Sequence, residues 1–417
     1  MIKVIHPSAI QGEVKAPASK SFMQRAIALS VLADDETLIE NPSRCDDALA
    51  GLNIAASFGC RIYDNGSFIS IIPSKEALPQ KLFCGESGLA IRLFAPIAAL
   101  FAHPVELAAE GSLLKRPAGF VTHTLQQFGV KVESNNGFPP ISIQGPINAG
   151  KADLDGSLSS QFLSGLLIAL PKAKGNSVLK VKNLMSIPYV SMTLQAIEAF
   201  GGNIENKDYQ EFIVPGNQTY KGGTYKIEGD WSGAAGLLVA GAIAGKITVK
   251  ELQSASLQAD VAILKALQQA GARINKEEEQ LTVSKPAELQ AFDFDALHCP
   301  DLFPVLTALA ANCKGTSKIH GVHRLVHKES NRGEALKQEF NKIGINIDIQ
   351  DDIMYITGGT VTSGKVNAHN DHRMAMALSL AALNASGPIT IEDALCVNKT
   401  YPGFYNDLEI LGVKVMS

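Results

Sequence analysis

The sequence predicts an α/β fold of two domains, each built of three βαβαββ repeats of about seventy residues, and three observations predict it. Glycines recur at a nearly constant interval behind helix-period stretches. An apolar helix pattern recurs at the same interval. Hairpin patterns follow most of the glycines.

The glycine signal is the most regular. Phe58-Gly59, Phe128-Gly129, Phe200-Gly201, Ala270-Gly271, Ile343-Gly344 and Leu411-Gly412 lie 68 to 73 residues apart. Each glycine follows an amphipathic stretch, such as Asp46 to Ser57 or Asp260 to Ala270, and stands where a helix ends in the left-handed conformation. The chain then turns to a hairpin pattern, as in Gly201 to Ile204 followed by Glu211 to Val214.

The second helix of each repeat opens on small or polar residues. These openings are Ser19-Lys20-Ser21, Glu86-Ser87-Gly88, Ser159-Ser160-Gln161, Asp230-Trp231-Ser232, Pro300-Asp301 and Asp371-His372-Arg373. Each runs into an Ala/Leu-rich segment that is apolar on most faces, the pattern of a buried helix. The order within a repeat is therefore strand, buried helix, strand, amphipathic helix, hairpin.

Composition narrows the function classes. With 417 residues, 46% of them hydrophobic, the chain can build more than one core. A net charge of −4 and the lack of any Lys/Arg block leave no footprint for a nucleic-acid partner. Leu93 to Ala102 and Ala234 to Ala244 are shorter than the roughly 20 residues a membrane helix needs, so they read as buried helices and no membrane partner is expected. Met1 to Ile10 has no apolar signal core, and a cytoplasmic protein is the expectation. Six scattered cysteines without a Cys-x-x-Cys pair argue for buried thiols rather than disulfides or zinc. His320, His323 and His327 are spaced suggestively for a metal, but Gly321 interrupts any helix there and no metal is expected.

Where a ligand would bind follows from the helix ends. A helix N-terminus offers unpaired N–H groups and a partial positive charge, so it attracts anions. If the buried helices of a domain run side by side, several such ends share one surface. Lys20, Ser21, Ser159, Ser160, Gln161 and Arg373 stand at those ends. A serine there is ordinarily a helix cap, but Lys and Arg at the same repeat position point to an anion site.

Four segments then carry a resemblance: Pro17-Ala18-Ser19-Lys20-Ser21 with Arg25, Ser159-Ser160-Gln161-Phe162, Lys328-Glu329-Ser330-Asn331-Arg332, and Asp371-His372-Arg373-Met374-Ala375. Together with Gly85-x-x-Gly88, Arg116-Pro117 and Lys399-Thr400, they resemble the signatures of the 3-phosphoshikimate 1-carboxyvinyltransferase (EPSP synthase) family, in the family's order. The resemblance implies an inside-out α/β barrel fold with helices packed within each domain. It implies one domain of residues 1–14 with 229–417, a second of residues 15–228, and an active site in the cleft between them. It also implies transfer of the enolpyruvyl group of phosphoenolpyruvate to the 5-hydroxyl of shikimate 3-phosphate, by a monomer without cofactor.

By the same resemblance, Lys20, Ser21, Arg25, Ser159, Ser160, Gln161, Ser186, Tyr189, Asp301 and Lys328 would hold shikimate 3-phosphate. Phosphoenolpyruvate would be held by Lys20, Gly88, Arg116, Gln161, Arg332, His372, Arg373 and Lys399. Asp301 would be the base and Glu329 the proton donor, with Lys20 assisting, each carboxylate opening a helix of its repeat.

Three positions depart from the family pattern: Asn331 replaces Asp, Leu89 replaces Thr and Leu93 replaces Pro. The two leucines are expected to narrow the pocket beside Gly88 and weaken binding of glyphosate, a competitor of phosphoenolpyruvate in this family. Two rivals share the general repeat style. UDP-N-acetylglucosamine 1-carboxyvinyltransferases place a Cys in the loop ahead of the Arg-Pro, but Glu110 to Lys115 contains none. RNA 3′-phosphate cyclases would need a basic RNA path. A non-catalytic phosphosugar-binding protein would lack the Asp301 and Glu329 pair.

Overall fold

All six repeat glycines adopt positive φ, between 76° and 98°, in the computed structural model of the chain, which describes residues 1–157, 159–326 and 328–417. Each ends a helix in the left-handed region, where a side chain would cost energy.

Among the described residues, twelve α-helices follow in pairs. They are α1 (Lys20–Leu32), α2 (Asp46–Ser57), α3 (Gly88–Ala98), α4 (Gly119–Gln126), α5 (Ser160–Ala169), α6 (Ile187–Ala199), α7 (Trp231–Ala244), α8 (Ile263–Gln269), α9 (Phe303–Ala311), α10 (Arg332–Lys342), α11 (His372–Ala382) and α12 (Phe404–Ile410). The odd-numbered helices are the buried type: every residue of α7, α9 and α11 is buried, because their Ala, Gly and Leu side chains let neighbours approach on all sides. The even-numbered ones bury one stripe. In α10 that stripe is Arg332, Gly333, Ala335, Leu336, Glu339 and Phe340, at helical spacing. The predicted helix at Asp260 to Ala270 is a 3₁₀ turn, Ala259–Ala262, running into α8, and the apolar run from Leu93 belongs to a helix that starts at Gly88 and stops at Ala98.

The strands of the described residues form six four-stranded sheets with one pattern. Lys151–Asp155 pairs parallel with Ser177–Lys182, as a strand–helix–strand crossover requires, and Glu211–Val214 and Glu205–Lys207 complete that sheet antiparallel as a hairpin. Three sheets borrow a strand from far along the chain. Ile10–Lys15 lies parallel to Gly245–Lys250, Lys3–Ile5 antiparallel to Ile389–Glu392, and Thr37–Glu40 parallel to Gly223–Lys226.

The chain divides into a first unit, Met1–Pro17 with Glu228–Ser417, and a second, Ala18–Ile227. In the first unit α7, α9 and α11 pack on one another; in the second α3 packs on α1 and α5. Gly165 makes the last contact possible, since a Cβ there would come within 2.5 Å of the Arg92 carbonyl oxygen. All six cysteines are free and buried, and no helix among the described residues is long and apolar enough to cross a membrane.

Candidate active site

Caps come first, because they fix where the buried helices begin. Ser19, Ser87, Ser159, Asp230 and Asp371 each accept a backbone N–H of the first turn, capping α1, α3, α5, α7 and α11. The sixth, α9, is entered instead through a 3₁₀ turn, Pro300–Leu302. Asp301 therefore stands in that turn and not on the helix itself, and Glu329 lies three residues before α10, which begins at Arg332. Both carboxylates were expected to open helices; Pro300 and the Lys328–Asn331 bend place them in the approaches instead, where side chains are freer to turn toward their partners.

In the second unit, hydrogen bonds tie the N-terminal ends of α1, α3 and α5 together. Gln24, wholly buried on α1, donates through Nε2 to the Asp47 carbonyl and to the α3 cap Ser87 Oγ, both at 2.8 Å. Arg92 on α3 donates through Nη1 to the Gly88 carbonyl at 2.8 Å and to Gln161 Oε1 on α5 at 3.2 Å. Lys20 holds Asp47 at 2.9 Å. Gly88 lies against two guanidinium groups: a Cβ there would sit 2.6 Å from Arg116 Nη1 and 2.7 Å from Arg92 Nη1.

Arg25 is placed differently from a surface ligand. Its side chain is fully buried, donating through Nε to Thr193 Oγ1, through Nη1 to the Ser21 carbonyl and through Nη2 to the Tyr189 carbonyl, at 2.8 to 2.9 Å. Burial pulls its pKa down to about 10. Thr193 Oγ1 lies 2.7 Å from Ser164 Oγ, which donates to the Ser160 carbonyl, so one network runs from Ser21 and Tyr189 to the start of α5. Ser186 precedes α6 in the left-handed region, φ 55°.

The first unit gathers the charged chemistry. Arg332, with a side chain only 1% exposed, donates to three carboxylates: Nη2 to Glu329 at 2.6 Å, Nη1 to Asp301 at 3.0 Å, and Nε to Asp371 at 2.9 Å. Lys328 reaches the same Asp301 oxygen at 3.1 Å. Arg373 stands 3.9 Å from Asp301 and donates to the Ser232 carbonyl at the start of α7, which links the N-terminal ends of α7, α9 and α11. Ser330 Oγ donates to Asp371. His372 is buried at the head of α11, and Lys399 Nζ donates to the Asn370 carbonyl at 2.8 Å.

Opposed effects set the protonation states. Burial alone would push the Asp301 carboxyl up, but Lys328, Arg373 and Arg332 outweigh it and hold the group well below the usual carboxylate range. For Arg332, burial disfavours the charge, yet Asp371, Glu329 and Asp301 overrule it and raise its pKa. Lys328 goes the other way, lowered chiefly by burial. The result is an ionised carboxylate among three cations.

The model of the family EPSP synthase (3-phosphoshikimate 1-carboxyvinyltransferase) matches residues 4–408. The chain belongs to the EPSP synthase family. A 3-phosphoshikimate 1-carboxyvinyltransferase of Clostridium botulinum (strain Alaska E43 / Type E3) is 36% identical, over 98% of this chain and 96% of its own. One from Thermococcus kodakarensis is 37% identical, over 98% and 99%. The solved EPSP synthase of Acinetobacter baumannii shares the fold at TM-score 0.83 and 24% identity, with both chains fully covered. The enolpyruvyl transferase NikO of Streptomyces tendae shares it at TM-score 0.80 and 16% identity, covering 100% of this chain and 98% of its own.

In this EPSP synthase family member, the first unit brings Asp301, Lys328, Glu329, Arg332 and Arg373 into one linked cluster, with Asp371 as an unforeseen member. The second unit links Lys20 to Asp47, and Gln161 to Gly88 through Arg92. Asp47, Gln24 and Arg92 also escaped the sequence reading. Arg92 had a signal, since it stands one helical turn after Gly88 on the same face. Gln24 had none, as its partners come from other segments. Leu89 and Leu93 are both buried in α3. No group of three metal-ligating side chains occurs among the described residues; His320 pairs with Asp293 and His323 with Asp352, while His327 lies outside the described residues.

Proposed function

We propose that this chain transfers the enolpyruvyl group of phosphoenolpyruvate to the 5-hydroxyl of shikimate 3-phosphate, giving 5-enolpyruvylshikimate 3-phosphate and inorganic phosphate. The observation that carries this reading is the shared Asp301: an ionised carboxylate held by Lys328, Arg332 and Arg373, three cations that substrate anions can engage.

The two substrates each bear a phosphate and a carboxylate, on the order of five to six negative charges together, and need fixed cations and helix ends to hold them. Lys20, Ser21, Ser159, Ser160, Gln161, Ser186, Tyr189 and Lys328 hold shikimate 3-phosphate, with Arg25 fixing the Ser21 and Tyr189 backbone through their carbonyls. Lys20, Gly88, Arg116, Gln161, Arg332, His372, Arg373 and Lys399 hold phosphoenolpyruvate.

Addition comes first. As the 5-oxygen bonds to C2 of phosphoenolpyruvate, its proton passes to Asp301, and Glu329 delivers a proton to the methylene carbon, leaving a tetrahedral intermediate. Elimination then returns a methyl proton to Glu329, re-forms the double bond and breaks the C2–O bond to phosphate, and the proton held by Asp301 leaves with the departing phosphate, which restores both carboxyl groups. Binding prepares the base: anions that engage Lys328 and Arg373 relieve the field depressing Asp301, so its basicity rises when substrates are present. These steps use side-chain acid-base chemistry and anion neutralisation, without a cofactor. The protein acts as a monomer in the cytoplasm.

Phosphate release from phosphoenolpyruvate tests the reading, measured with shikimate 3-phosphate and separately with UDP-N-acetylglucosamine as acceptor. Release with the first alone is the expected outcome; release only with the second assigns the chain to the rival reaction.

A further inference from the structure

Outside the reacting cluster, one buried carboxylate has no part in the chemistry above. Glu339 lies two turns after Arg332 on α10, and its side chain is entirely buried. Burying a carboxylate is unfavourable unless hydrogen bonds replace its water, and four do. Lys342 Nζ lies 2.8 Å from both oxygens, His369 Nε2 is 2.8 Å from Oε1, and the Asn367 backbone N–H donates to Oε2 at 2.9 Å.

Two of those partners belong to the turn that leads into α11. That turn is unusual: His369 and Asn370 are consecutive residues at φ 53° and 52°, left-handed conformations that non-glycine residues adopt at a cost. His369 N–H donates to Asn367 Oδ1 at 2.6 Å, and Asp371 N–H to the Ala368 carbonyl at 2.9 Å. The conformation has two products. It directs the Asn370 carbonyl to Lys399 Nζ, and it brings Asp371 to Arg332 Nε and Ser330 Oγ. Helix α10 thus grips the turn twice, through Arg332 at its start and through Glu339 near its end.

We propose that Glu339 and His369 are a positioning pair that locks the Asn367–Asp371 turn in its left-handed form, and so sets Lys399 and Arg332 for phosphoenolpyruvate. The pair touches neither substrate. Its effect passes through two cations assigned to phosphoenolpyruvate. The inference rests on the assignment of Lys399 and Arg332 under the proposed function.

Steady-state kinetics and amide hydrogen exchange test it together on the full chain. In His369→Ala, KM for phosphoenolpyruvate should rise about tenfold, a loss of one well-placed charged contact, while KM for shikimate 3-phosphate stays within about twofold. His369→Gln, which can return a donor near the Nε2 position, should recover most of the loss. Lys342→Met removes a partner of Glu339 that does not touch the turn, and should leave both KM values near those of the wild type. The amides of Asn367 and Asp371 should exchange faster in His369→Ala than in wild type, with α10 unchanged. An unaltered KM for phosphoenolpyruvate overturns the proposal, as does a parallel rise of both KM values or an equal effect of Lys342→Met, either of which marks a merely structural ion pair. A wild-type chain without turnover refutes the reaction assigned above instead. The exchange comparison still decides the clamp in that case, because unchanged protection at Asn367 and Asp371 overturns it.

Discussion

In the proposed reaction Asp301 is the base, and its neighbours oppose that role. A base needs affinity for a proton, yet Lys328, Arg332 and Arg373 depress that affinity in the ligand-free protein. Two measurements follow from this tension. Replacing Asp301 with Asn keeps the shape and removes the base, so turnover should fall at least about 100-fold while both KM values change little. A loss in KM alone would make Asp301 a binding residue. The pH profiles should also differ in a definite direction. Because the free-enzyme pKa is lowered, the profile of kcat/KM should show no acid limb from Asp301 at or above about pH 5, close to and above the ordinary carboxylate range. Bound anions draw Lys328 and Arg373 away, which raises the pKa, so the kcat profile should lose activity at a higher pH than the kcat/KM profile does. Coincident acid limbs would show that substrates leave the field at Asp301 unchanged.

Among the elements, the buried helices do two jobs at once: they fill the cores and aim their N-terminal ends. Their closeness is set by glycine. At Gly165 a methyl group would meet the backbone of Arg92 and Leu93 at 2.5 to 3.0 Å, so Gly165→Ala must push α5 away from α3. Overpacking of this kind costs about 1–3 kcal/mol, and carbonyl backbone yields less readily than a flexible side chain. Urea denaturation should show that loss as a lower midpoint at an unchanged slope; an unaltered midpoint would mean the helices are less tightly joined than their geometry requires. What was legible at this scale follows from range. Ser19, Ser87, Ser159, Asp230 and Asp371 could be read as caps because a cap acts within three residues of itself. Asp301 and Glu329 were displaced from helices because a proline and a bend change the path locally in ways that periodicity does not register. Gln24 and Asp47 stayed hidden because their roles exist only once α1, α2 and α3 are assembled.

Across the whole molecule the same rule separates what periodicity reveals from what it hides. Glycines at a seventy-residue interval marked all six repeats, since each helix end is a local event. Strand partnership is not local: nothing in Lys3–Ile5 or Thr37–Glu40 says that its neighbour lies some 190 to 380 residues away. Resemblance to a family implied only that residues 1–14 share a domain with the C-terminal half; the strand pairings themselves come from the structure, as shared sheets. They bear on stability, because each unit closes its own core with a strand contributed from a distant part of the chain. Cysteine offers a way to watch the two cores separately. Cys45, Cys60 and Cys84 belong to the second unit, and Cys299, Cys313 and Cys396 to the first. Burial raises every one of these thiols, Cys45 to about 11 and Cys313 and Cys396 to about 12, so in the native protein near pH 8 each is both inaccessible and protonated. Unfolding restores an ordinary thiol, with a pKa near 8.5, and reactivity with it. Because each core is a cooperative body, pulse labelling through a denaturant series should modify the three cysteines of a unit together, at one midpoint per unit. A mixed order, with Cys84 and Cys313 exposed while Cys45 and Cys396 remain protected, would show that cooperativity follows individual repeats and not the three-repeat unit.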